Sequence, residues 1–325
     1  MNVVYATDDN YAAQCGISML SLMDNNSDLD DIHFYVLDNG IRQENIDKLI
    51  KQCDEYGRSI SFIDASDFMD RVGFEFNTTG FNPIVLARLF LADYLPESVG
   101  FCLYIDCDTV VTGNLSDILD IDMSSKYFAA VPELFMPVNN KLAIGFEAGD
   151  MYYNAGILWI NLELWRAVDA KSAFLDFYRE KEGMLPYNDQ DILNYCCKGR
   201  IEKLPQKYNM SPNLPYFPRS FMVKLQPGYK TDTVAEYKDM IEHPAIVHFL
   251  GDERPWIHGN KNYYREYFYK YRARSLWPDS EIIYGRELYM FCYHVLNLIT
   301  RVCPWFREIF SSYIGINVYK WFKKK

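Results

Sequence analysis

The sequence predicts an α/β fold: a mostly parallel, Rossmann-like central sheet flanked by helices, followed by a helical C-terminal tail. Three observations carry this expectation. Short apolar runs at residues 3–6, 32–37, 59–63 and 101–105 alternate with helical periodicity, the βαβ rhythm of a parallel sheet with helices on both faces. The chain has 325 residues, 49% of them hydrophobic, enough for one large core or two smaller ones. From Glu281 onward the balance turns basic, ending in Lys320, Lys323, Lys324 and Lys325.

The elements follow in order. Residues 3–6 form the first expected strand. Residues 10–25 then place Ala12, Cys15, Gly16, Met19, Leu20 and Met23 on one helical face. A strand at 32–37 leads to a helix near residues 43–55, stopped by Gly57. Residues 59–63 make a third strand, 86–94 a helix, and 101–105 a fourth strand. The middle third is less regular: a strand is expected at 153–162 and a helix at 188–197. Pro205, Pro212, Pro215 and Pro218 suggest an ordered surface loop over 204–218.

The expected organisation is a main domain over residues 1–270 and a tail over 271–325. In the tail, residues 288–300 and 305–321 are rich in Tyr, Phe, Trp and Ile, with Arg301, Arg307 and the terminal lysines interspersed. Such segments lie in the interface of anionic membranes; a helical pair packed on the main domain is the alternative.

Composition excludes some classes. A formal charge of −11 with no basic stripe in the body argues against nucleic-acid binding. Eight cysteines without C-x-x-C spacing fit reduced thiols in a cytosolic protein. The N-terminus lacks a basic n-region, and no uncharged apolar run reaches about 18 residues. The expected location is therefore cytoplasmic, peripheral on the inner face of the membrane.

The chemistry concentrates at strand ends. D-x-D occurs at Asp28/Asp30, Asp106/Asp108, Asp120/Asp122 and Asp189/Asp191, and only Asp106/Asp108 directly follows a five-residue apolar run. Two carboxylates at a strand tip repel unless a cation or a proton lies between them. A hard divalent ion relieves that repulsion and bridges a diphosphate. His248 ends the run Ala245-Ile246-Val247, and an imidazole tilts the choice from Mg²⁺ toward Mn²⁺. Gly251 permits close backbone approach to a phosphate, and Arg254 can grip one through its fork. On spacing alone, a solvated acidic loop and a structural histidine remain open. Asp8 and Asp106 both fall at strand C-terminal ends, where ligands gather in open α/β sheets.

Two other classes compete. Asp106-Cys107-Asp108-Thr109-Val110 also fits the D-x-D-x-[TV] signature of haloacid-dehalogenase-like phosphatases, with Asp106 as nucleophile and Asp108 as general acid. That motif normally opens a domain, whereas about a hundred residues of patterned sheet precede it here. A non-catalytic carbohydrate-binding module would have no use for a diphosphate clamp.

Five further blocks follow the opening Tyr5-Ala6-Thr7-Asp8-Asp9-Asn10-Tyr11-Ala12: Leu86-Ala87-Arg88-Leu89, Tyr104-Ile105-Asp106-Cys107-Asp108, Tyr153-Asn154-Ala155-Gly156, Asp189-Gln190-Asp191, and residues 248–256. In this order the chain resembles the family 8 retaining glycosyltransferases, which include bacterial lipo-oligosaccharide galactosyltransferases and glycogenin, over residues 2–260. The resemblance implies a GT-A fold and metal-dependent transfer of a hexose from UDP-glucose or UDP-galactose. The acceptor would be a hydroxyl of a glycan or glycolipid, as in lipopolysaccharide or cell-surface glycan biosynthesis. Mn²⁺, or Mg²⁺ in its place, would be the metal.

Carried over by position, Ala6, Asp8, Asn10 and Tyr11 would hold the uridine, Tyr11 by stacking. Asp106, Asp108 and His248 would bind the metal, and Gly251 and Arg254 the diphosphate. Arg88, Asn154, Asp189 and Gln190 would face the donor hexose, with Cys107 and Ala155 completing the donor set. Gln190, Asp189 and Asp191 are the catalytic candidates. Two departures stand out: the family often has lysine at Arg254, and aspartate at Glu133 on the acceptor side. Gln190 is a poor nucleophile, so the resemblance favours front-face attack assisted by the leaving phosphate over a covalent intermediate. Residues 76–83 and 250–256 are candidate lids, with Gly80 and Gly251 as hinges.

Overall fold

The computed structural model describes residues 1–309 except 79, 81, 226–228 and 231–232. The expected tail beyond residue 309, with its four terminal lysines, lies outside the described residues, as does part of the 76–83 lid.

Nine strands are described: β1 (Asn2–Thr7), β2 (His33–Asp38), β3 (Ser59–Asp64), β4 (Phe101–Ile105), β5 (Thr109–Val111), β6 (Phe128–Pro132), β7 (Tyr153–Asn161), β8 (Ile201–Lys203) and β9 (Ile246–His248). Seven of them form one sheet in the order β3-β2-β1-β4-β7-β6-β8. β1, β2, β3 and β4 run parallel, as do β6 and β8; β7 runs antiparallel to both its neighbours. This is the expected mostly parallel α/β sheet. The chain winds outward from β1 through β2 to β3, then crosses back to β4 on the other side of β1. That reversal opens a crevice at the carboxyl ends of β1 and β4.

β5 and β9 make a separate two-stranded antiparallel ladder, pairing Thr109 with His248 and Val111 with Ile246. This ladder brings residues about 140 positions apart to one place: the Phe249 N–H donates to the Asp108 carbonyl at 2.8 Å.

Helix α1 (Ala12–Asn25) has buried residues on every side rather than one apolar stripe, as expected of a helix enclosed by protein. One enclosing group is Trp277. Its ring lies so close to Gly16 that a Cβ there would sit 2.1 Å from the indole Cζ3. The indole Nε1–H donates to Asn45 Oδ1 at 2.9 Å, on helix α2 (Gln43–Glu55). A residue of the C-terminal segment thus completes the packing of the first βαβ unit.

Three expectations are refined. Residues 83–94 form a tight 3-10 turn, Pro83–Phe90, and only then an α-helical turn, Leu91–Tyr94. β6 escapes the sequence reading because it is short and alanine-rich, yet all five of its residues are buried. The 204–218 segment is not a surface loop: Tyr208, Asn209 and Met210 are buried, and Met210 pairs with Val247. Its prolines keep it out of regular structure without keeping it out of the interior. All eight cysteines are unbridged.

Candidate active site

The crevice at the β1/β4 reversal is a cleft of about 640 Å³, within the range of small-ligand sites. Asp106 follows β4 directly, and its N–H donates to the Gly156 carbonyl on β7 at 2.8 Å. Thr109 Oγ1 donates to the Asp106 carbonyl at 2.9 Å, holding the Asp-Cys-Asp turn. Ligand atoms of Asp106, Asp108 and His248 all lie within 4.8 Å of one another. His248 Nε2 is 3.1 Å from Asp108 Oδ1 and 3.8 Å from Asp106 Oδ2.

The state of that imidazole follows from its neighbours. The Gly156 N–H donates to Asn154 Oδ1 at 2.9 Å, so this oxygen is an acceptor. Asn209 Nδ2 donates to the same oxygen at 2.8 Å, which turns Asn209 Oδ1 toward His248 Nδ1 at 3.0 Å. Nδ1 therefore carries a hydrogen, and Nε2 faces the two carboxylates. With a cation between them, a neutral ring would offer it the Nε2 lone pair, the arrangement of a metal-ligating histidine whose far nitrogen donates to a fixed acceptor. Gly156 also leaves the room: a Cβ there would fall 2.1 Å from His248 Cε1 and 2.8 Å from Asp106 Oδ2. The donor set of two carboxylates and one imidazole suits a divalent cation.

Charge is arranged around this group. Arg88, 3% exposed, donates from Nη2 to Asp106 Oδ1 at 2.8 Å, approaches Asp189 Oδ2 with Nε at 3.2 Å, and donates from Nη1 to the Ala155 carbonyl. Its guanidinium lies over the Tyr104 ring, 4.4 Å from the centroid. Arg254 Nη2 is 3.4 Å from Asp108 Oδ2, while its Nε has no partner. Burial pushes the Asp106 carboxyl up from the usual range, against the pull of Arg88 and His248. At Asp108 burial is outweighed by His248 and then Arg254, which hold the carboxyl down at about 2. Burial raises Asp189 to about 7 despite Arg88. A dication held between Asp106 and Asp108 would stabilise their ionised forms.

Most of the residues singled out in the sequence border the cleft: Ala6, Asp8, Tyr11, Arg88, Asp106, Cys107, Asp108, Asn154, Ala155, Asp189, Gln190, His248, Gly251 and Arg254. Two do not. Asn10 is exposed and turns back on Asp8, its N–H donating to Asp8 Oδ1 at 3.0 Å. Asp191 is fully buried on the far side of helix α3 (Asp189–Cys196), accepting from the Tyr152 hydroxyl at 2.6 Å and the Tyr187 N–H at 2.7 Å. Residues i and i+2 do not share a helix face, so Asp189 toward the cleft sends Asp191 away from it.

Gln190 Oε1 accepts from the Ala155 N–H at 2.9 Å, and its Nε2 donates to Glu133 Oε2 at 3.2 Å. Asn154 Nδ2 donates to the same Glu133 oxygen at 2.7 Å. Glu133 also borders a second cavity of about 220 Å³ with Phe217, Phe221 and Arg307; Leu250 lines both cavities. Sequence reasoning missed Asn209, Asp252 and Arg286. Asn209 lies in the proline-rich segment and carried no local signal. Arg286 lies in the C-terminal segment, yet borders the cleft.

The model of glycosyl transferase family 8 matches residues 2–259. The chain belongs to that family. It is 29% identical over 280 residues to general stress protein A of Bacillus subtilis (strain 168), covering 85% of this chain and 94% of that one. It is 24% identical to a lipopolysaccharide 1,2-glucosyltransferase of Escherichia coli (strain K12), covering 82% and 76%. Among solved structures, the galactosyltransferase LgtC with donor and acceptor sugar analogs superposes with a TM-score of 0.72 at 29% identity, over 85% of this chain and 96% of that one. This family 8 glycosyltransferase thus shares the GT-A-like architecture of LgtC, and the family match displaces the phosphatase and binding-module readings.

Proposed function

We propose that this family 8 glycosyltransferase moves a hexose, glucose or galactose, from a UDP-sugar to a hydroxyl of a glycan or glycolipid acceptor, with retention at the anomeric carbon. The observation that carries the reading is the Asp106–Asp108–His248 group and Arg254 bordering one cleft. LgtC was solved with sugar analogs of a donor and an acceptor, and a glutamine-to-glutamate variant of it is described as an active-site mutant. The lipopolysaccharide relatives transfer glucose or galactose.

Asp106, Asp108 and His248 would hold the divalent ion, Mn²⁺ by preference and Mg²⁺ in its place. When bound, such an ion neutralises charge that develops on a departing diphosphate. Arg254 donates to the diphosphate through its guanidinium, a charge-assisted bond. Ala6, Asp8 and Tyr11 border the uridine end of the cleft. Arg88 holds Asp106 and Asp189 in place rather than reaching far toward the sugar. Gln190 and Asn154, both tied to Glu133, face the hexose. Gln190 is a neutral amide already committed through both its oxygen and its nitrogen, which favours front-face attack over a covalent intermediate. The acceptor oxygen bonds to the anomeric carbon as the bond to the phosphate oxygen breaks, and the acceptor proton passes to that oxygen. Asp191 acts as a positioning residue for α3 through Tyr152 and Tyr187.

In this reading residues 1–270 are the transferase body, and 271–325 include an attachment to the inner, anionic membrane surface from the cytoplasmic side. No described helix is long and apolar enough to cross a membrane. Helix α4 (Glu287–Val302) instead exposes Leu288, Phe291, Val295, Leu298 and Val302 on one stripe. A helix normally turns its apolar stripe inward, so this one is shaped for an apolar partner.

UDP release from a panel of UDP-sugars with Mn²⁺ tests the donor assignment. The expected result is release from UDP-glucose or UDP-galactose, abolished by Asp108→Asn and by EDTA. Near-normal turnover in Asp108→Asn would refute the metal assignment, and no release from either sugar would refute the donor. Flotation with phosphatidylglycerol vesicles decides the membrane part, which predicts weaker partitioning for Phe291→Ser.

A further inference from the structure

Arg254 ends a short loop that starts at Gly251, a glycine with φ +56°. The two residues between them are both acidic, and neither carboxylate points at the metal-site group. Asp252 accepts from Arg286 Nη2 at 2.8 Å and from the Tyr289 hydroxyl at 2.6 Å. Glu253, with no exposed surface, accepts at Oε1 from the Tyr293 hydroxyl at 2.8 Å and from Asn297 Nδ2 at 3.3 Å. Arg286, the N-cap residue of α4, and Tyr289, Tyr293 and Asn297 within it form one stripe at helical spacing. Arg307 closes the arrangement, donating from Nη1 to Asn297 Oδ1 at 2.7 Å.

We propose that α4 is a strut for the donor loop: Arg286, Tyr289, Tyr293 and Asn297 are positioning residues that hold Asp252 and Glu253, and through them set where Arg254 presents its guanidinium. None of the four lies within residues 2–259, which the family model matches.

The chemistry explains why the link is made of carboxylates. Burying a carboxyl group is costly unless partners meet it; the α4 stripe supplies donors to both oxygens of Asp252 and to Oε1 of Glu253, whose Oε2 has none. Apolar packing would tolerate sliding; hydrogen bonds to two adjacent carboxyl groups fix both position and orientation. The carbonyls of the same residues are held separately, Asp252 and Arg254 by Asn260 Nδ2 and Glu253 by Asn262 Nδ2. Backbone and side chains are thus held by different segments of the chain. Truncating the chain before α4 would free both carboxylates and disturb donor binding, so it is not a clean way to remove membrane contact.

The inference rests on Arg254 meeting the donor diphosphate, and its test separates the two claims. Hydrogen–deuterium exchange over residues 249–256 is measured in the full chain, for the wild type and for Tyr289→Phe/Tyr293→Phe, which keeps both rings and removes two donors. UDP and Mn²⁺ affinities are measured on the same samples. The strut predicts faster exchange in that segment and UDP binding weakened by about tenfold, equivalent to about 1.4 kcal/mol, with affinity for Mn²⁺ alone unchanged. Glu253→Gln, which keeps an acceptor for Tyr293, retains UDP affinity, whereas Glu253→Ala loses it. Exchange and UDP affinity equal to wild type in the double variant would overturn the strut. A wild type that binds no UDP would instead overturn the nucleotide reading, and the exchange comparison would still decide the strut.

Discussion

Replacing Gly156 by alanine is the sharpest test of the metal site, because the added methyl is aimed at its ligands. The new Cβ would stand 2.1 Å from His248 Cε1, 2.8 Å from His248 Nδ1 and 2.8 Å from Asp106 Oδ2. Carbon atoms rest comfortably at about 3.5–4.0 Å, so the ring must retreat by roughly 1.5 Å. It has nowhere easy to go: His248 is 1% exposed, bonded to Asn209, and paired across the ladder with Thr109. Overpacking of this kind costs about 1–3 kcal/mol of stability. The larger effect is on the metal, since ligand distances must hold to within about 0.2 Å. Mn²⁺ affinity should fall at least 10–100-fold, the range seen when a ligand loses its orientation. The assay is Mn²⁺ titration by electron paramagnetic resonance, alongside thermal melts with and without the ion. Gly149→Ala is the control, with nothing within 4 Å of its added carbon. A folded Gly156→Ala protein that binds Mn²⁺ like the control would refute the three-ligand site.

Asn209→Leu removes the acceptor for His248 Nδ1 and should weaken Mn²⁺ binding by about 10–100-fold; unchanged affinity would mean that the ring is oriented by packing alone. Burial raises Glu253 to about 7 from an ordinary value of 4.5, against the pull of its Tyr293 hydrogen bond and Arg307. The folded state therefore keeps a proton that the unfolded chain has lost, and stability must fall as pH rises through this window. Glu253→Gln removes the titration, so between about pH 4.5 and 8 the wild type should lose roughly 3 kcal/mol more than the variant in denaturant unfolding. Parallel pH profiles for the two proteins would contradict this.

What could be read from the sequence was whatever a short window contains. Asp106 and Asp108 announce themselves because a five-residue apolar run ends at them, and His248 because it ends another. Asn154-Ala155-Gly156 was legible as a motif, although the reason for its glycine, the ring of His248 against its face, needs the fold. Asn209 was illegible because its role depends on a carbonyl orientation set by Gly156, fifty-three residues earlier in the chain. Asp191 entered as a catalytic candidate with the Asp189-Gln190-Asp191 block, and the helix that carries the block turns it away from the cleft. At a strand tip the two side chains converge, whereas on a helix they diverge by about 200°. In the tail, composition showed aromatic and basic segments but not that the tyrosines and Asn297 would take the inward side. Only the position of Asp252 and Glu253 decides that.

Trp277 gives the molecule a schedule. Its indole fills the space beside Gly16 and donates to Asn45, yet it leaves the ribosome 261 residues after that glycine. At typical synthesis rates of about 5–20 residues per second, the slot on the first helix stays open for roughly 13–50 s. During that interval the nascent chain carries an apolar notch that only its own later segment fills in the finished fold.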